Sequence, residues 1–251
     1  MDIGASHLET VIAFRRWSAR TLSITTTRPS DYAFRPGHYA RVSLPCFERP
    51  LWRPYSIVSS SDQPQLEFLF SIIPSGRLTP LLGELTVESV ILIDRNPMGF
   101  FLEESLSPGE VLWLLATGTG VGPYISLLRE GGIFAKYQQV ILVYSVRARA
   151  ELAYDDELRA LQQQLDGRFH YLPVITREPG TGYLSERIPA LIGSGRLANE
   201  LGMTPINPVR DRVMVCGNPE FTSGMRALLN ERQFAPCRRG QAGTMLFEKY
   251  W

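Results

Sequence analysis

A glycine-rich turn at residues 117–123, TGTGVGP, follows an apolar run and precedes a predicted helix. Amides at a helix N-terminus are unpaired and bind anions, and glycine lets a phosphate approach the backbone closely. A nucleotide hydrolase loop would need Gly-Lys-Ser/Thr here, but proline and tyrosine follow Gly122. Gly118, Gly120 and Gly122 are spaced by two, unlike the G-x-G-x-x-G dinucleotide fingerprint. The turn therefore indicates either a phosphate site of another kind or an ordinary glycine-rich connection.

Arginines after the next two predicted strands favour a phosphate ligand. The segment VRAR supplies Arg147 and Arg149, at a place where NAD-binding folds use an acid to bind the ribose 2′-hydroxyl. Arg177 follows the next strand, and Arg187 lies ten residues later. Each charge-assisted arginine–phosphate contact contributes about 1.5–3 kcal/mol. A single arginine is more often a solvated surface charge, but this group together predicts a preference for the 2′-phosphate of NADP(H).

The segment RPYSIVSS, residues 53–60, offers a second set of chemically useful side chains. In a strand, Arg53 and Tyr55 share one face and Ser56 points to the other. Arginine donates two parallel hydrogen bonds to a pyrophosphate, and tyrosine has a flat ring for stacking. By composition alone, an ordinary barrel strand explains this pattern equally well.

The elements around these residues divide the chain into two halves. From residue 8 to about residue 100, six short β-prone runs alternate with separators rich in proline, glycine and serine, which indicates a small antiparallel barrel or sandwich. The piece GRLTPLLGEL predicts a short inserted helix. After LEESLSPGE, residues 102–110, buried strands alternate with helices, which is typical of a doubly wound parallel sheet. We therefore predict domains at residues 1–103 and 104–251.

Composition excludes several classes of protein. The formal net charge of the 251 residues is +1, which argues against a general nucleic-acid binder. The three cysteines form no Cys-x-x-Cys pair, so neither an iron–sulfur cluster nor a structural zinc site is expected, and no metal is predicted. The N-terminal segment lacks a signal-peptide apolar core, and the longest apolar run is too short to span a bilayer. We expect a cytoplasmic protein that is not bound to a membrane.

Four motifs occur in the order in which one enzyme family carries them: RPYSIVSS, GRLTPLL, ATGTGVGPYISLL and VMVCGNPEF. With the ending FEKYW, they make nearly the whole chain resemble the bacterial ferredoxin–NADP⁺ reductases. The resemblance implies an FAD-binding β-barrel followed by an α/β NADP domain. It also implies electron transfer between NADPH and ferredoxin or flavodoxin by hydride exchange at flavin N5. One departure is the segment LTVES, which replaces the usual Pro-Gly-Asp before the last barrel strand.

The resemblance implies a flavin site in the first domain. Its residues are Arg53, Pro54, Tyr55, Ser56, Arg77, Leu78 and Thr79. Arg53 would meet the FAD pyrophosphate, Tyr55 would stack on the isoalloxazine, and Ser56 would lie near flavin N5. The last three residues open the short helix, whose amides would hold the pyrophosphate.

The resemblance places the remaining site residues in the second domain and at the C-terminus. They are Gly118, Thr119, Gly120, Arg147, Arg177, Arg187, Cys216, Glu248, Tyr250 and Trp251. Thr119 would lie between flavin and nicotinamide, and Cys216 would flank the nicotinamide. A tail returning to the flavin would put Tyr250 near its second face and Trp251 near the adenine. Ser56, Cys216 and Glu248 are the expected catalytic residues, and we expect Ser56 and Cys216 to position groups or tune polarity rather than to act as nucleophiles.

The expected partner is an acidic ferredoxin or flavodoxin, and the expected state is a monomer. Residues 1–60 contain eight arginines and four acids, and five of these arginines are candidates for a docking face: Arg15, Arg16, Arg20, Arg35 and Arg49. A flavin or quinone reductase on the same scaffold and a non-enzymatic NADP-binding regulator remain alternatives. The reductase module of an oxygenase often carries a fused [2Fe–2S] domain, which these cysteines cannot supply.

Overall fold

The computed structural model describes residues 6–180 and 182–250. The chain forms two compact units. The first contains the described residues up to Leu102 together with Gly122–Glu130, and the second contains Glu103–Val121 and the described residues from Gly131 onward. The helix that follows the glycine-rich turn is thus packed with the N-terminal unit.

The first unit is a nearly closed antiparallel barrel. Its strands are β1 (Ser6–Arg16), β2 (Thr21–Thr27), β3 (Tyr39–Ser43), β4 (Arg53–Ser56), β5 (Gln65–Ser71) and β6 (Val90–Asp94), in the order β4-β3-β6-β1-β2-β5. Just after β4, Ile57 pairs with Phe68 of β5, and this bridge brings the two outer strands together. The helices of this unit are α1 (Thr79–Leu82) and α2 (Gly122–Glu130).

The barrel core follows from the alternation of side chains along each strand. Leu22 and Ile24 of β2 are fully buried, as are Phe68 and Phe70 of β5. Because successive side chains point to opposite faces, these pairs lie in one core cluster of the barrel, and the intervening Ser23 and Leu69 are buried on the other face. Helix α2 is held to the barrel by Ser126, whose hydroxyl donates to the Ser59 carbonyl at 2.6 Å.

The directions of the strands determine at which end of the barrel each connection lies. Strands β1, β3 and β5 are mutually parallel in direction because each is separated from the next by one antiparallel neighbour. The connections 17–20, 44–52 and 72–89 therefore lie at one end, which we call the proximal end. The connections 28–38, 57–64 and 95–100 lie at the opposite, distal end.

The second unit contains a five-stranded parallel sheet. Its strands are β7 (Val111–Thr117), β8 (Gln139–Val146), β9 (Phe169–Ile175), β10 (Asp211–Gly217) and β11 (Met245–Lys249), in the order β11-β10-β7-β8-β9. Its helices are α3 (Ile133–Lys136), α4 (Asp155–Gln164), α5 (Ile188–Gly193), α6 (Arg196–Glu200) and α7 (Pro219–Glu231). Strands β7 and β10 are almost entirely buried, as helices on both faces of a parallel sheet require.

Strand β11 is an element that the sequence patterns did not indicate, because they suggested only a terminal tail. It pairs in parallel with β10, and its Met245 is buried in the core of the unit. Within the described residues, no helix has the length and apolar character needed to cross a membrane.

Candidate functional site

The order of the strands in the second unit creates a crevice between β7 and β10. The chain proceeds from β7 outward to β8 and β9, then returns to place β10 on the other side of β7. In open α/β sheets, ligands bind outside the carboxyl ends of the strands at such a switch point. The glycine-rich turn follows β7, and the segment CGNPEF ends β10 and begins α7. The sheet thus brings these two motifs to the same place.

Gly118 begins a short 3₁₀ turn in the left-handed backbone region, with φ of +55°. This conformation is costly for any residue with a Cβ. A Cβ at this position would meet no atom within 4 Å, so the space beside the turn is open. Left-handed backbone and open space fit a phosphate that approaches the amides of the turn.

Gly120 is required for a different reason. A Cβ there would lie 2.5 Å from the carbonyl oxygen of Cys216 and 2.8 Å from its carbonyl carbon. The turn after β7 therefore packs directly on the end of β10, and the neighbouring Thr119 is buried. A position for Thr119 between two redox rings stays a prediction.

The end of β10 places a thiol beside a carboxylate. Cys216 is in register with Glu248 of β11, and its Sγ lies 3.8 Å from Glu248 Oε2. Burial, and secondarily the Glu248 carboxylate, raises the pKa of Cys216 well above its usual value. The thiol is consequently neutral and can donate a weak hydrogen bond, but it is a poor nucleophile.

The residues after β11 continue along β10. The Tyr250 amide donates to the Gly217 carbonyl at 2.9 Å, which extends the pairing of the two strands by one link. Trp251, which the resemblance places near the adenine, lies outside the described residues. The pairing places Glu248 and Tyr250 beside Cys216, at the carboxyl end of the parallel sheet.

Of the arginines expected to bind the 2′-phosphate, Arg147 and Arg177 lie together. Arg147 follows β8 and Arg177 follows β9, and both side chains are exposed. The Arg177 amide donates to the Arg147 carbonyl at 2.9 Å, so the backbones of the two arginines are adjacent at the carboxyl end of the sheet. Arg187 instead forms an ion pair with Glu220, and both of these side chains are largely exposed.

Two acids in this region were missed by sequence reasoning. Glu151 accepts a hydrogen bond from the Arg147 amide at 3.0 Å, and Glu178 accepts one from the Arg149 amide at 2.9 Å. The spacing Arg147–Glu151 and the pair Arg177-Glu178 are visible in the sequence, but neither spacing indicates a bond to a backbone amide.

The first unit presents the RPYS residues at an outer strand of its sheet. Pro54 is exposed on β4, where a residue without an N–H is tolerated. Arg53 is also exposed, and its Nη1 donates to the Trp52 carbonyl at 2.9 Å. Ser56 is buried at the end of the strand.

Tyr55 is half-buried, with its ring edge-on to Phe70 at a centroid distance of 4.4 Å and an angle of 64°. Burial raises the pKa of Tyr55 to about 12, so its hydroxyl is neutral at physiological pH. The contact with Phe70 fixes the ring as a rigid flat surface on the barrel.

The residues Arg77, Leu78 and Thr79 form the entry to α1, at the same proximal end as Arg53. The Thr79 hydroxyl accepts from the Ile73 amide at 2.9 Å and donates to the Ile73 carbonyl at 3.2 Å, which fixes the loop. Within the part of the chain that the structure describes, no acceptor pairs with the amides of Arg77 and Leu78. These amides and the Arg53 guanidinium are donors that fit a pyrophosphate.

Comparisons with known proteins agree with this architecture. Residues 14–101 match the family profile "Oxidoreductase FAD-binding domain", and residues 114–227 match "Oxidoreductase NAD-binding domain". The chain is 34% identical to a ferredoxin–NADP reductase of Pseudomonas aeruginosa, covering 97% of this chain and 96% of the relative. It is also 34% identical to a flavodoxin/ferredoxin–NADP reductase of Escherichia coli, covering 96% and 97%.

A solved structure is similar over the full length. The ferredoxin NADP⁺ reductase of Neisseria gonorrhoeae, crystallised with FAD and NADP, superposes with a TM-score of 0.93 at 28% identity, covering 99% of this chain and 100% of that one. Fold and site define a two-domain flavin- and nicotinamide-dependent oxidoreductase. The chain belongs to the ferredoxin–NADP reductase family. The predicted fold class, enzyme class and two cofactors are confirmed.

Proposed function

We propose that this chain transfers electrons between NADPH and a ferredoxin or flavodoxin, with the roles of its residues as follows. The observation that carries the proposal is the convergence of the glycine-rich turn, Cys216 and Glu248 at the switch point of the parallel sheet. When bound, the two cofactors supply the redox chemistry, a hydride exchange between nicotinamide C4 and flavin N5 and single-electron exchange with the carrier.

In the first unit, the residues bind and orient the flavin. Arg53 neutralises the pyrophosphate, and the amides of Arg77 and Leu78 donate to it. Tyr55 supplies a stacking surface whose neutral hydroxyl adds no charge. Ser56, buried at the strand end, holds a polar group near the reactive edge of the ring.

In the second unit, Gly118 and Gly120 allow the NADP pyrophosphate to approach the turn. Cys216 is a small neutral group beside the nicotinamide, and a thiolate there would repel the Glu248 carboxylate. Glu248 is a carboxylate beside Cys216 that can accept a proton or a hydrogen bond. Tyr250 offers an aromatic ring that can stack on a flavin face, and the expected role of Trp251 falls outside the described residues.

Arg147 and Arg177 bind the 2′-phosphate and select NADPH. They are exposed and adjacent, and two guanidinium groups suit one dianionic phosphate. Arg187 joins them by leaving Glu220, an exchange that costs little because exposed ion pairs contribute only about 0–1 kcal/mol.

We further propose that residues 1–103 form the flavin domain and residues 104–251 the NADP domain. The charge balance argues against binding to nucleic acid, and we propose that the protein is a cytoplasmic monomer. Light scattering during gel filtration tests the monomer, because a dimer would elute with twice the chain mass of 28.3 kDa.

The first experiment is the absorption spectrum of the purified protein. We expect a yellow protein that releases FAD on denaturation and reduces ferredoxin with NADPH. A colourless protein without FAD would instead favour the non-enzymatic NADP-binding regulator. A coloured protein that reduces free flavins or quinones but neither ferredoxin nor flavodoxin would contradict the proposed partner.

Substitution tests the nucleotide preference. Arg147→Ala and Arg177→Ala should each lower kcat/KM for NADPH by about 10–100-fold, the equivalent of one charge-assisted contact. The value for NADH should remain nearly constant because NADH lacks the 2′-phosphate. Arg196→Ala, which removes an exposed arginine of α6 paired with Glu186, is the matched control. Equal losses with both nucleotides would contradict the assignment.

A further inference from the structure

Two carboxylates organise the loops from which the phosphate-binding arginines project. Glu151 Oε2 accepts from the Arg147 amide at 3.0 Å, within the loop that follows β8. Glu178 Oε2 accepts from the Arg149 amide at 2.9 Å, between the loops that follow β8 and β9. Both bonds engage the backbone of an arginine and not its guanidinium.

The bond of Glu178 continues the pairing of β8 and β9 beyond the last residues of the two strands. The Thr176 amide donates to the Val146 carbonyl at 3.0 Å, and the Arg177 amide donates to the Arg147 carbonyl at 2.9 Å. The next link between the two loops uses the side chain of Glu178 in place of a backbone carbonyl. The two loops are thereby joined at three successive points.

The bond of Glu151 joins two residues of the same loop, the one that follows β8. Residues Arg149–Glu151 form a short 3₁₀ turn, and the Glu151 amide donates to the Ala148 carbonyl at 2.9 Å. The Glu151 side chain then returns to the Arg147 amide, so both ends of the turn are fixed. A hydrogen bond from an amide to a carboxylate is roughly twice as strong as one between neutral groups.

We propose that Glu151 and Glu178 are positioning residues that set the specificity for the 2′-phosphate. Binding a phosphate must order both the backbone of these loops and the arginine side chains. Fixing the backbone at Arg147, Arg149 and Arg177 removes the backbone part of that cost before the ligand arrives. This inference rests on the proposed role of Arg147 and Arg177 in NADPH binding.

Charge alone would give the opposite effect, which makes the proposal testable. A carboxylate near a phosphate repels it, so an acid that acts only through its charge would weaken binding. Glutamine keeps an oxygen acceptor for the amide and removes the charge. Alanine removes both, whereas aspartate keeps the charge on a side chain that is one methylene shorter.

The experiment measures the Kd of the holoenzyme for 2′-phospho-AMP and for 5′-AMP by calorimetry. Glu151→Ala and Glu178→Ala should weaken 2′-phospho-AMP binding about 5–10-fold, the equivalent of one hydrogen bond, and should leave 5′-AMP binding within about twofold. Glu178→Gln should bind within about twofold of the unmodified chain, because loss of the charge weakens the hydrogen bond but also removes repulsion of the phosphate. Glu178→Asp should lose affinity as the alanine variant does. In turnover, KM for NADPH should rise while kcat stays constant.

Controls separate failure of this inference from failure of the proposed function. Glu200→Ala removes an exposed acid from α6 of the same unit and should leave both affinities unchanged. If Arg147→Ala and Arg177→Ala fail to weaken 2′-phospho-AMP binding, both the proposed phosphate site and this inference are wrong. If those two variants weaken it and the alanine variants of the acids do not, this inference alone is wrong.

Two further results would also overturn the inference. Stronger 2′-phospho-AMP binding in both the alanine and the glutamine variants would show that the acids act by repulsion. Equal losses for 2′-phospho-AMP and 5′-AMP would show a general structural role. If an alanine variant does not fold, Glu178→Asp and Glu178→Gln still give opposite expectations and decide the question.

Discussion

At the residue scale, the thiol of Cys216 and the carboxylate of Glu248 lie 3.8 Å apart on neighbouring strands. A thiolate at this place would be a second negative charge in a buried environment, and the raised pKa of Cys216 reflects this cost. The pair therefore consists of a neutral donor and an acceptor. The pair can orient a ligand through hydrogen bonds and keeps this end of the sheet polar. The neutral thiol is a poor nucleophile, so it does not readily form a covalent bond with a substrate.

This protonation state predicts the order of thiol modification. At pH 8, iodoacetamide should modify the exposed Cys46 first, because alkylation needs an accessible thiolate. Cys216 should react only after unfolding, since burial both raises its pKa and blocks access. Peptide mass spectrometry after timed alkylation measures the order. Equal rates for Cys46 and Cys216 in the native protein would contradict it.

The glycines of the turn predict two distinct defects. Gly118→Ala should cost about 1–2 kcal/mol of stability because of its left-handed backbone, and it should weaken NADP⁺ binding because the methyl group enters the open space. Gly120→Ala should cost about 1–3 kcal/mol by overpacking against the Cys216 carbonyl. Gly132→Ala, with negative φ and open surroundings, is the control and should be neutral.

Urea denaturation and calorimetry with NADP⁺ separate the two defects. Unchanged NADP⁺ affinity in Gly118→Ala would show that the open space beside the turn does not hold the nucleotide. Unchanged stability in Gly120→Ala would show that the end of β10 can move away from the turn.

At the element scale, β11 converts a terminal segment into part of the core. Its Met245 is buried, and its pairing with β10 determines that Glu248, and not a neighbour, faces Cys216. A one-residue slip in a strand would turn the side chains to opposite faces. The contact between Glu248 and Cys216 therefore depends on the register of β11.

Substitutions in β11 test this contribution. Met245→Ala should destabilise the protein by about 2–4 kcal/mol, as removal of a buried side chain usually does. Lys249→Ala, at an exposed position of the same strand, should change stability by less than about 0.5 kcal/mol. Urea denaturation followed by circular dichroism compares the two variants, and similar stabilities would mean that β11 is not part of the folded core.

The strands also show which parts of the fold the sequence patterns could predict. The six barrel strands and strands β7–β10 carry clear alternating or continuous apolar runs, and they were predicted. The fourth barrel strand covers Arg53–Ser56, and its outer position in the sheet accepts Pro54. The run MLFEK of β11 falls in the segment that the sequence suggested to be a terminal tail, and its pairing with β10 joins residues that are distant in the chain. The bonds of Glu151 and Glu178 and the pairing of Arg187 with Glu220 depend on loop geometry that no local pattern encodes.

At the scale of the whole molecule, a net charge of +1 conceals an uneven distribution. Of the arginines considered for docking, Arg20 and Arg49 lie in connections at the proximal end of the barrel, where Arg53 and Arg77 also lie. The same connections contain the acids Glu48, Glu84 and Glu88. Arg35 lies in a distal connection, so the five arginines do not form one face. Arg28 and Arg41 are occupied within the unit, by carbonyls and by Asp94 respectively.

The exposed arginines Arg20 and Arg49 predict how an acidic carrier associates if it docks at the proximal end. Because opposite charges accelerate encounter and salt screens them within about 10 Å at 0.1 M, the rate of ferredoxin reduction should fall steeply with ionic strength. The double variant Arg20→Glu/Arg49→Glu should reduce that rate about tenfold at low salt and flatten its salt dependence. The double variant Arg35→Glu/Arg95→Glu reverses two exposed arginines at the distal end, so it carries the same change of charge and should behave like the unmodified chain. Stopped-flow measurements across a salt series distinguish these outcomes. A rate that is independent of salt would exclude electrostatic docking, and equal losses in the proximal and distal variants would assign the effect to net charge and not to this end of the barrel.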